Sequence, residues 1–238
     1  MKAMLLAAGR GERMRPLTDT TPKPLLAVGG KPLIVWHIER LVAAGMSDII
    51  INHAWLGRQI EDTLGNGSTF GARLAYSPET GQALETAGGI AQALWFFGNE
   101  PFLVMNGDVW TDWLPHNAVA VSQALQQRGK QAWLLLVDNP GHHPAGDFFL
   151  GSDGLVSDAP PPGLQHATRH TFAGIGVYHP ELFTGIASGE RAALGPLLRR
   201  AMNRQAILGS HHDGRWTDVG TPERLHSLDA ALKAAQGA

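Results

Sequence analysis

The sequence predicts a doubly wound α/β fold, and two observations support that prediction. First, the candidate strands are Lys2–Ala8, Asp48–His53, Pro101–Asn106 and Ala132–Val137, and several of them are continuously apolar, which is typical of strands buried on both faces of a parallel sheet. Second, helical patterns separate these runs. The resulting order β-α-β-α-β over the first 110 residues predicts an open sheet with helices on both faces and right-handed crossovers.

The helices of the first half are predicted from their spacing and their stop signals. Apolar residues recur at helical spacing from Ile34 to Val42, and Gly45 provides a natural stop. A second helix is predicted over Leu56–Leu64, and a third from about Glu85 to Phe97.

The second half of the chain is richer in loops. Loops are predicted at Pro140–Pro144 and Asp158–Gly163, with strands at Phe148–Leu150 and Thr171–His179. The last helix is predicted to begin near Thr221-Pro222, because threonine caps a helix and proline fits the first helical position.

The composition is that of an ordinary globular protein, and it excludes several classes. A chain of 238 residues suits one domain over residues 1–238. A net charge of −2 without a strong basic patch argues against nucleic acid or an anionic membrane as partner. The absence of cysteine excludes disulfides and thiolate chemistry. No apolar stretch approaches the roughly 20 residues that span a bilayer, so we expect a cytoplasmic protein. The oligomeric state cannot be read from the sequence.

A glycine-rich loop follows the first predicted strand and is a candidate phosphate-binding site. Small residues let backbone N–H groups approach a bound anion closely, and such loops at the carboxyl end of a strand commonly bind ligands. The alternative is a tight structural turn. The candidate nucleotide-binding residues in this loop are Ala8, Gly9, Gly11, Glu12 and Arg13.

Lys23 lies shortly after this loop, between Pro22 and Pro24. The prolines restrict the backbone and therefore the direction of the lysine side chain. An ammonium group held near bound phosphate neutralises charge on a phosphoryl group during its transfer. The alternative is a lysine in a solvated loop.

Two aspartates are candidate metal ligands. Asp108, in Asn106-Gly107-Asp108, follows an apolar strand, where a carboxylate suits a hard divalent cation such as Mg²⁺. Asp218 lies in Trp216-Thr217-Asp218-Val219-Gly220, before the last helix. The alternative is that Asp108 caps a turn and that Asp218 caps the helix or interacts with its dipole.

Together these motifs resemble the sugar-1-phosphate nucleotidyltransferase family. Leu-Ala-Ala-Gly-x-Gly-x-Arg-Met-x-Pro-Leu-Thr (residues 6–18), Pro-Lys-Pro-Leu (residues 22–25), Gly-Asp (residues 107–108) and Trp-x-Asp-x-Gly-Thr-Pro (residues 216–222) occur in the family's order. The resemblance implies a Rossmann-like doubly wound mixed sheet. It also implies that an NTP and a sugar 1-phosphate are the substrates, that Arg13 and Lys23 are catalytic, and that Asp108 and Asp218 bind Mg²⁺.

The resemblance further implies a nucleotide-binding half, about residues 1–110, and a sugar-binding half, about residues 111–238. Asn106 is expected to contact both substrates, Glu79 and Gly81 to lie at the base, and Asn139 and Asp147 to contact the sugar or its phosphate. A plain surface turn is the alternative for Glu79 and Gly81.

Leu84-Glu85-Thr86 departs from the Leu-Gly-Thr of many relatives. This form is similar to that of a subgroup that acts on UTP and N-acetylmuramate 1-phosphate in bacterial cell-wall recycling. Three further stretches are similar to the same subgroup: Ile51-Asn52-His53-Ala54-Trp55-Leu56, Asn106-Gly107-Asp108-Val109-Trp110-Thr111 and Val137-Asp138-Asn139-Pro140-Gly141-His142-His143.

Other functions remain open at this stage. The same chemistry on heptose or mannose 1-phosphate with GTP, or on phosphocholine with CTP, is one alternative. A non-catalytic nucleotide-sugar sensor need not retain Lys23, Asp108 and Asp218 together. A dinucleotide-dependent oxidoreductase is disfavoured because Met14 replaces the third glycine of that fingerprint. The pairs His142-His143 and His211-His212 are poor chelates, since adjacent strand residues point to opposite faces.

Overall fold

The computed structural model describes residues 1–81, 83–160 and 167–236. The strands are β1 (Ala3–Ala7), β2 (Ala27–Val28), β3 (Lys31–Pro32), β4 (Asp48–His53), β5 (Arg73–Pro78), β6 (Phe102–Asn106), β7 (Val109–Thr111), β8 (Ala132–Val137), β9 (Phe149–Leu150), β10 (Val156–Ser157), β11 (Thr171–Tyr178), β12 (Ile207–His212) and β13 (Trp216–Asp218). The helices are α1 (Leu17–Thr20), α2 (Leu33–Ala43), α3 (Gly57–Leu64), α4 (Glu85–Gln92), α5 (Leu94–Phe97), α6 (Asn117–Gln127), α7 (Leu194–Met202) and α8 (Pro222–Gln236). Short 3₁₀ helices cover Glu12–Met14, Lys23–Leu25, Ser68–Phe70 and Pro180–Phe183.

A seven-stranded mixed sheet in the order β12-β8-β11-β6-β1-β4-β5 organises the fold. Strand β11 is antiparallel to both of its neighbours, and the other pairs are parallel. From β1 the chain builds outward to β4 and β5, and then returns to place β6 on the other side of β1. This reversal of strand order creates a crevice beyond the carboxyl ends of β1 and β6, where doubly wound folds bind ligands.

The central strands are apolar on both faces because helices cover both sides of the sheet. Leu5, Ile49 and Ile51 pack into the core that includes α2, whereas Met4 and Ile50 pack into the opposite core that includes α4 and α7. Side chains alternate between the faces of a strand, so continuous burial requires a cover on each face. The predicted fold class is therefore confirmed.

A third core joins the two ends of the chain. Helix α8 contributes Leu225, Leu228 and Leu232 to a cluster with Met14 and Val28 from the N-terminal region. The Asp229 carboxylate also accepts a hydrogen bond of 2.8 Å from the Gly29 N–H. Packing α8 against the N-terminal region brings the segment before α8 to the glycine-rich loop.

Most of the predicted elements match the structure, and the differences have physical reasons. The predicted helix over residues 85–97 is interrupted at Ala93, so that α4 and α5 are separate. The sequence did not predict β5, because this edge strand is half exposed and lacks a continuous apolar run. Helix α6 was also missed, since among its residues only Ala118 and Leu125 are buried. The predicted loop Asp158–Gly163 extends into residues 161–163, which lie outside the described residues.

Candidate active site

A cavity of about 370 Å³ opens beyond the carboxyl ends of β1 and β6. It lies at the reversal of strand order, where the fold alone predicts a ligand site. The predicted loop residues that line it are Ala8, Gly9, Gly11, Glu12 and Arg13. From the rest of the chain, Lys23, Glu79, Asn106 and Asp108 also line this first cavity.

Two glycines give the glycine-rich loop its properties: Gly11 allows its tight turn, and Gly9 exposes its backbone to the cavity. Gly11 has φ of +70°, and a Cβ there would lie 2.8 Å from Cγ2 of Thr18. The Thr18 hydroxyl donates a hydrogen bond of 2.8 Å to the Gly11 carbonyl. A Cβ on Gly9 would meet no atom within 4 Å, so the backbone of Gly9 faces open space. The loop can therefore approach a ligand closely at Gly9.

Arg13 is an exposed cation of this loop. It lines the first cavity and a second, adjoining one. Its guanidinium forms no ion pair with the part of the chain that the structure describes, whereas the neighbouring Arg10 and Arg15 both pair with Glu12 and Asp19. Arg13 is therefore the arginine of this loop that is available to an anionic ligand.

Lys23 and Asp108 meet across the first cavity. The Lys23 Nζ lies 2.5 Å from Oδ2 of Asp108, and Lys23 is only 9% exposed. A 3₁₀ turn over Lys23–Leu25 orients the lysine, as expected from its flanking prolines. The structure thus connects two predicted site residues that are 85 positions apart in sequence.

Asp218 reaches the same region through a short two-stranded sheet. In this antiparallel sheet Asp218 of β13 is opposite Val109 of β7, and the Val219 N–H donates a hydrogen bond of 2.7 Å to the Asp108 carbonyl. Helix α8 is capped instead by Thr221, whose hydroxyl accepts a hydrogen bond of 3.4 Å from the Arg224 N–H. Asp218 therefore does not cap α8, which was the alternative to a metal-binding role.

The Asp218 carboxylate contacts two cationic or basic side chains that sequence reasoning did not place in the site. Arg224 Nη1 lies 2.7 Å from Oδ1 and 2.9 Å from Oδ2. His142 Nε2 lies 3.0 Å from Oδ1. Arg224 stands six residues after Asp218, on the first turns of α8, and this position could have pointed to it.

The donor set of Asp108 and Asp218 fits a hard divalent cation. Both side chains are carboxylates, the ligands that such cations prefer, and both line the second cavity. Lys23 compensates the charge of Asp108, and Arg224 compensates the charge of Asp218. A cation that binds both carboxylates must therefore compete with these ion pairs.

The second cavity, of about 390 Å³, lies between this site and the loop after β8. It shares Arg13, Asn106 and Asp108 with the first cavity, and Asp147 also lines it. The Asp147 carboxylate accepts a hydrogen bond of 2.8 Å from the Phe172 N–H, and His143 Nε2 lies 3.1 Å from its other oxygen. Asn106 and Asp147 therefore line the same cavity.

The sequence predicted that Asn139 contacts the sugar. In the structure, Asn139 lines neither the first nor the second cavity, nor the third one described below. Its amide donates hydrogen bonds to the carbonyls of Arg169 (2.8 Å) and Pro144 (3.2 Å). Its carbonyl accepts one of 2.9 Å from the Thr171 hydroxyl. Asn139 therefore braces the loop that carries Asp147.

Glu79 is buried, and its two oxygens are already hydrogen-bonded. Oε1 accepts a hydrogen bond of 2.7 Å from the Asn52 amide, and Oε2 accepts one of 2.8 Å from the Leu84 N–H. Asn52 in turn accepts a hydrogen bond of 2.9 Å from the Ala7 N–H. This chain of contacts fixes the end of β1 against the segment before α4. Gly81, in contrast, is exposed and does not line the first cavity.

Glu85 occupies the position where the family resemblance implies glycine, and its backbone conformation is one that favours glycine. Its φ is +60°, in the left-handed region that favours glycine. Its carboxylate lies 2.6 Å from Arg191, and Glu85 lines both the first cavity and a third one of about 430 Å³. The third cavity also contains Arg199, whose Nε lies 3.1 Å from Asp158.

The fold and this site together define a class of protein: an α/β protein with a glycine-rich loop at the carboxyl end of its first strand and two carboxylates, Asp108 and Asp218, that line one cavity. The profile of the nucleotidyl transferase family matches residues 2–235. The chain belongs to this family of nucleotidyl transferases. Members of the family generally use a divalent metal ion.

Two relatives match nearly the whole chain. An N-acetylmuramate alpha-1-phosphate uridylyltransferase of Neisseria meningitidis is 55% identical over 234 residues, which cover 98% of this chain and 99% of the relative. The enzyme of the same name from Caulobacter vibrioides is 34% identical over 241 residues, covering 98% and 97%.

Solved structures show the same fold. A Bacillus anthracis protein assigned as a glucose-1-phosphate thymidylyltransferase superimposes with a TM-score of 0.81 at 22% identity, covering 98% of this chain and 95% of that one. A structure of UDP-glucose pyrophosphorylase superimposes with a TM-score of 0.76 at 19% identity, covering 99% and 98%. Among the described residues, no helix is both long and apolar enough to cross a membrane.

Proposed function

We propose that this protein transfers a uridylyl group from UTP to N-acetylmuramic acid α-1-phosphate and releases pyrophosphate. The observation that carries the class of reaction is the convergence of Arg13, Lys23, Asp108 and Asp218 around two adjoining cavities. The 55% identity to an N-acetylmuramate alpha-1-phosphate uridylyltransferase supports the choice of substrates. The site uses both halves of the chain, which supports a single domain over residues 1–238.

In the proposed reaction, the phosphate oxygen of the sugar attacks the α-phosphorus of UTP, and the bond to pyrophosphate breaks. The nucleophile is already anionic, so no residue has to remove a proton. Positioning and charge neutralisation then provide most of the catalysis. Lys23 neutralises charge at the transferred phosphate, and Arg13 binds the phosphate oxygens from the open side of the loop.

We propose that Asp108 and Asp218 hold Mg²⁺. The bound ion would neutralise phosphate charge and orient the triphosphate. Lys23 and Arg224, which now pair with these carboxylates, must then exchange partners. Such an exchange would release the Lys23 ammonium for the phosphate it is proposed to neutralise.

The cavities divide between the two substrates in this proposal. The first cavity holds UTP, with Glu79 and Asn52 fixing the backbone at its base end. The second and third hold the sugar phosphate between Asn106 and Asp147. N-Acetylmuramic acid carries a lactyl carboxylate, and Arg199 provides a cation in the third cavity for that group.

The test of the function is pyrophosphate release with Mg²⁺, with UTP, GTP, CTP and dTTP each combined with a panel of sugar 1-phosphates. We expect release with UTP and N-acetylmuramic acid α-1-phosphate. Release confined to GTP with heptose or mannose 1-phosphate would keep the reaction class and refute the substrates. No release with any pair would refute the reaction and favour a nucleotide-sugar sensor.

The role of Arg199 is tested by sugar discrimination. Arg199→Gln should raise the KM for N-acetylmuramic acid α-1-phosphate and leave the KM for N-acetylglucosamine 1-phosphate unchanged, because only the former sugar carries a carboxylate. Arg200→Gln, the neighbouring exposed position on α7, is the matched control. An equal rise in both KM values for Arg199→Gln would contradict this role.

A further inference from the structure

Three potential metal ligands converge on the sheet outside the proposed active site. Asp138 directly follows β8, His170 directly precedes β11, and His211 lies in β12. Strands β11 and β12 flank β8 on its two sides. The three residues are far apart in sequence, and the sheet alone brings them together.

The register of the sheet places the three side chains on one face. Thr171 is opposite Val137 in the antiparallel pair of β11 and β8, so His170 follows opposite Asp138. His211 is opposite Leu136 in the parallel pair of β12 and β8. Leu136 and Asp138 are two residues apart and therefore share a face.

The side chains also have the spacing of a metal site. His211 Nε2 lies 2.9 Å from Oδ1 of Asp138, and the rings of His170 and His211 lie 4.7 Å apart. One ligand atom from each residue lies within 4.8 Å of those of the other two. Among the residues that the structure describes, no other three histidines or carboxylates meet this criterion.

The chemistry of these three side chains favours a transition metal at this cluster. Two imidazoles and a carboxylate suit zinc, whereas Mg²⁺ prefers oxygen ligands alone.

We infer that Asp138, His170 and His211 form a binding site for Zn²⁺ or a similar divalent transition metal, distinct from the site of Asp108 and Asp218. Tetrahedral zinc places its nitrogen and oxygen ligands about 3.4 Å apart. Asp138, whose side chain is 84% exposed, can rotate to close the remaining gap. Water would complete the coordination. The ion would join β8, β11 and β12 at the start of the loop that carries Asp147.

The experiment is calorimetric titration of the full chain with Zn²⁺ in the presence of excess Mg²⁺, followed by Co²⁺ titration with optical detection of its coordination. We expect one equivalent of Zn²⁺ to bind, and Co²⁺ to show the absorption of a low-coordinate site. His170→Ala and His211→Ala should each weaken Zn²⁺ binding by about tenfold or more. The Zn²⁺-bound protein should also unfold at a higher temperature.

His212→Ala is the matched control, because His212 is the next residue on β12 and pairs with Asp112 at 2.7 Å. Its Zn²⁺ affinity should equal that of the wild type. Binding that survives both His170→Ala and His211→Ala, or that is lost only in Asp218→Asn, would place the ion elsewhere and overturn the inference. The absence of Zn²⁺ binding by the folded wild type would overturn it as well.

Discussion

At the scale of residues, each proposed metal ligand pairs with a compensating cation, which is 85 positions away in sequence for Asp108 and six positions away for Asp218. Lys23 pairs with Asp108 at 2.5 Å, and Arg224 pairs with Asp218 at 2.7 Å. Neighbouring carboxylates repel each other, and a cation paired with each of them reduces that repulsion. In the proposed mechanism, a metal ion that binds the carboxylates would leave the same cations available to phosphate.

Lys23→Met should lower kcat by about 10²–10³, as is typical when one charge-stabilising group is removed. Methionine keeps the apolar stem of the side chain, and Asp108 remains partly exposed to water, so we expect little change in the free energy of unfolding. Steady-state pyrophosphate release and urea unfolding measure the two effects. Lys31→Met is the control, since Lys31 pairs only with Glu39 among the described carboxylates. A kcat near that of the wild type would remove Lys23 from the mechanism.

Arg224→Gln should lower the Mg²⁺ concentration that gives half-maximal activity. The guanidinium contacts both oxygens of Asp218 and competes with a metal ion for them. Activity measured over a series of Mg²⁺ concentrations tests this, with the exposed Arg58→Gln as control. If Arg224→Gln needs more Mg²⁺ instead, then Arg224 orients Asp218 for the ion and does not compete with it.

At the scale of elements, the site depends on how closely β1 and β6 approach at their carboxyl ends. The Gly107 N–H donates a hydrogen bond of 2.8 Å to the Leu6 carbonyl directly after β6. A Cβ on Gly107 would lie 2.7 Å from that carbonyl oxygen. Glycine at this position therefore sets the distance between the glycine-rich loop and Asp108.

Gly107→Ala should lower kcat by about 10²-fold, because a displacement near 1 Å at a reacting group has an effect of that size. The shift should also cost about 1–3 kcal/mol of unfolding free energy, as overpacking does. Kinetics and urea unfolding measure both effects. Gly141→Ala, where a Cβ meets no atom within 4 Å, is the control for stability. Unchanged stability in Gly107→Ala would show that the strands separate without cost.

At the scale of the whole molecule, one buried histidine couples folding to pH. His37 of α2 is 1% exposed. Burial lowers its pKa from 6.5 to about 4, with a smaller opposing effect from the Val109 backbone. Between these two pKa values, the unfolded chain binds a proton that the folded protein excludes. The free energy of unfolding therefore decreases as the pH falls from 6.5 towards 4.

We expect His37 to account for a loss of about 2 kcal/mol of unfolding free energy between pH 7 and pH 5. His37→Gln should flatten the pH dependence over this range, measured by urea unfolding at pH 7, 6 and 5. The exposed His116→Gln serves as control and should retain the slope of the wild type. A slope that stays the same in His37→Gln would mean that other groups set the acid sensitivity.

The sequence predicted the local features that a short stretch of chain determines. Strand β4 matches its predicted bounds at Asp48–His53, because its apolar residues can be read from the sequence without knowing which strands lie beside it. The site residues from Ala8 to Lys23 were predicted because glycine and proline restrict the backbone wherever they occur. Edge strand β5 was missed, since its pattern depends on which of its faces the fold leaves exposed.

By itself, the sequence determined the fold class, and it predicted the glycine-rich loop, Arg13, Lys23, Asp108 and Asp218 as site residues. Only the tertiary structure decided that Asn139 braces a loop, that Glu79 is buried in a hydrogen-bond chain, and that Arg224 and His142 contact Asp218. It also brought His170, His211 and Asp138 together. The physical reason is that motifs follow from backbone preferences within a few residues, whereas these contacts depend on strand order and register across the whole sheet.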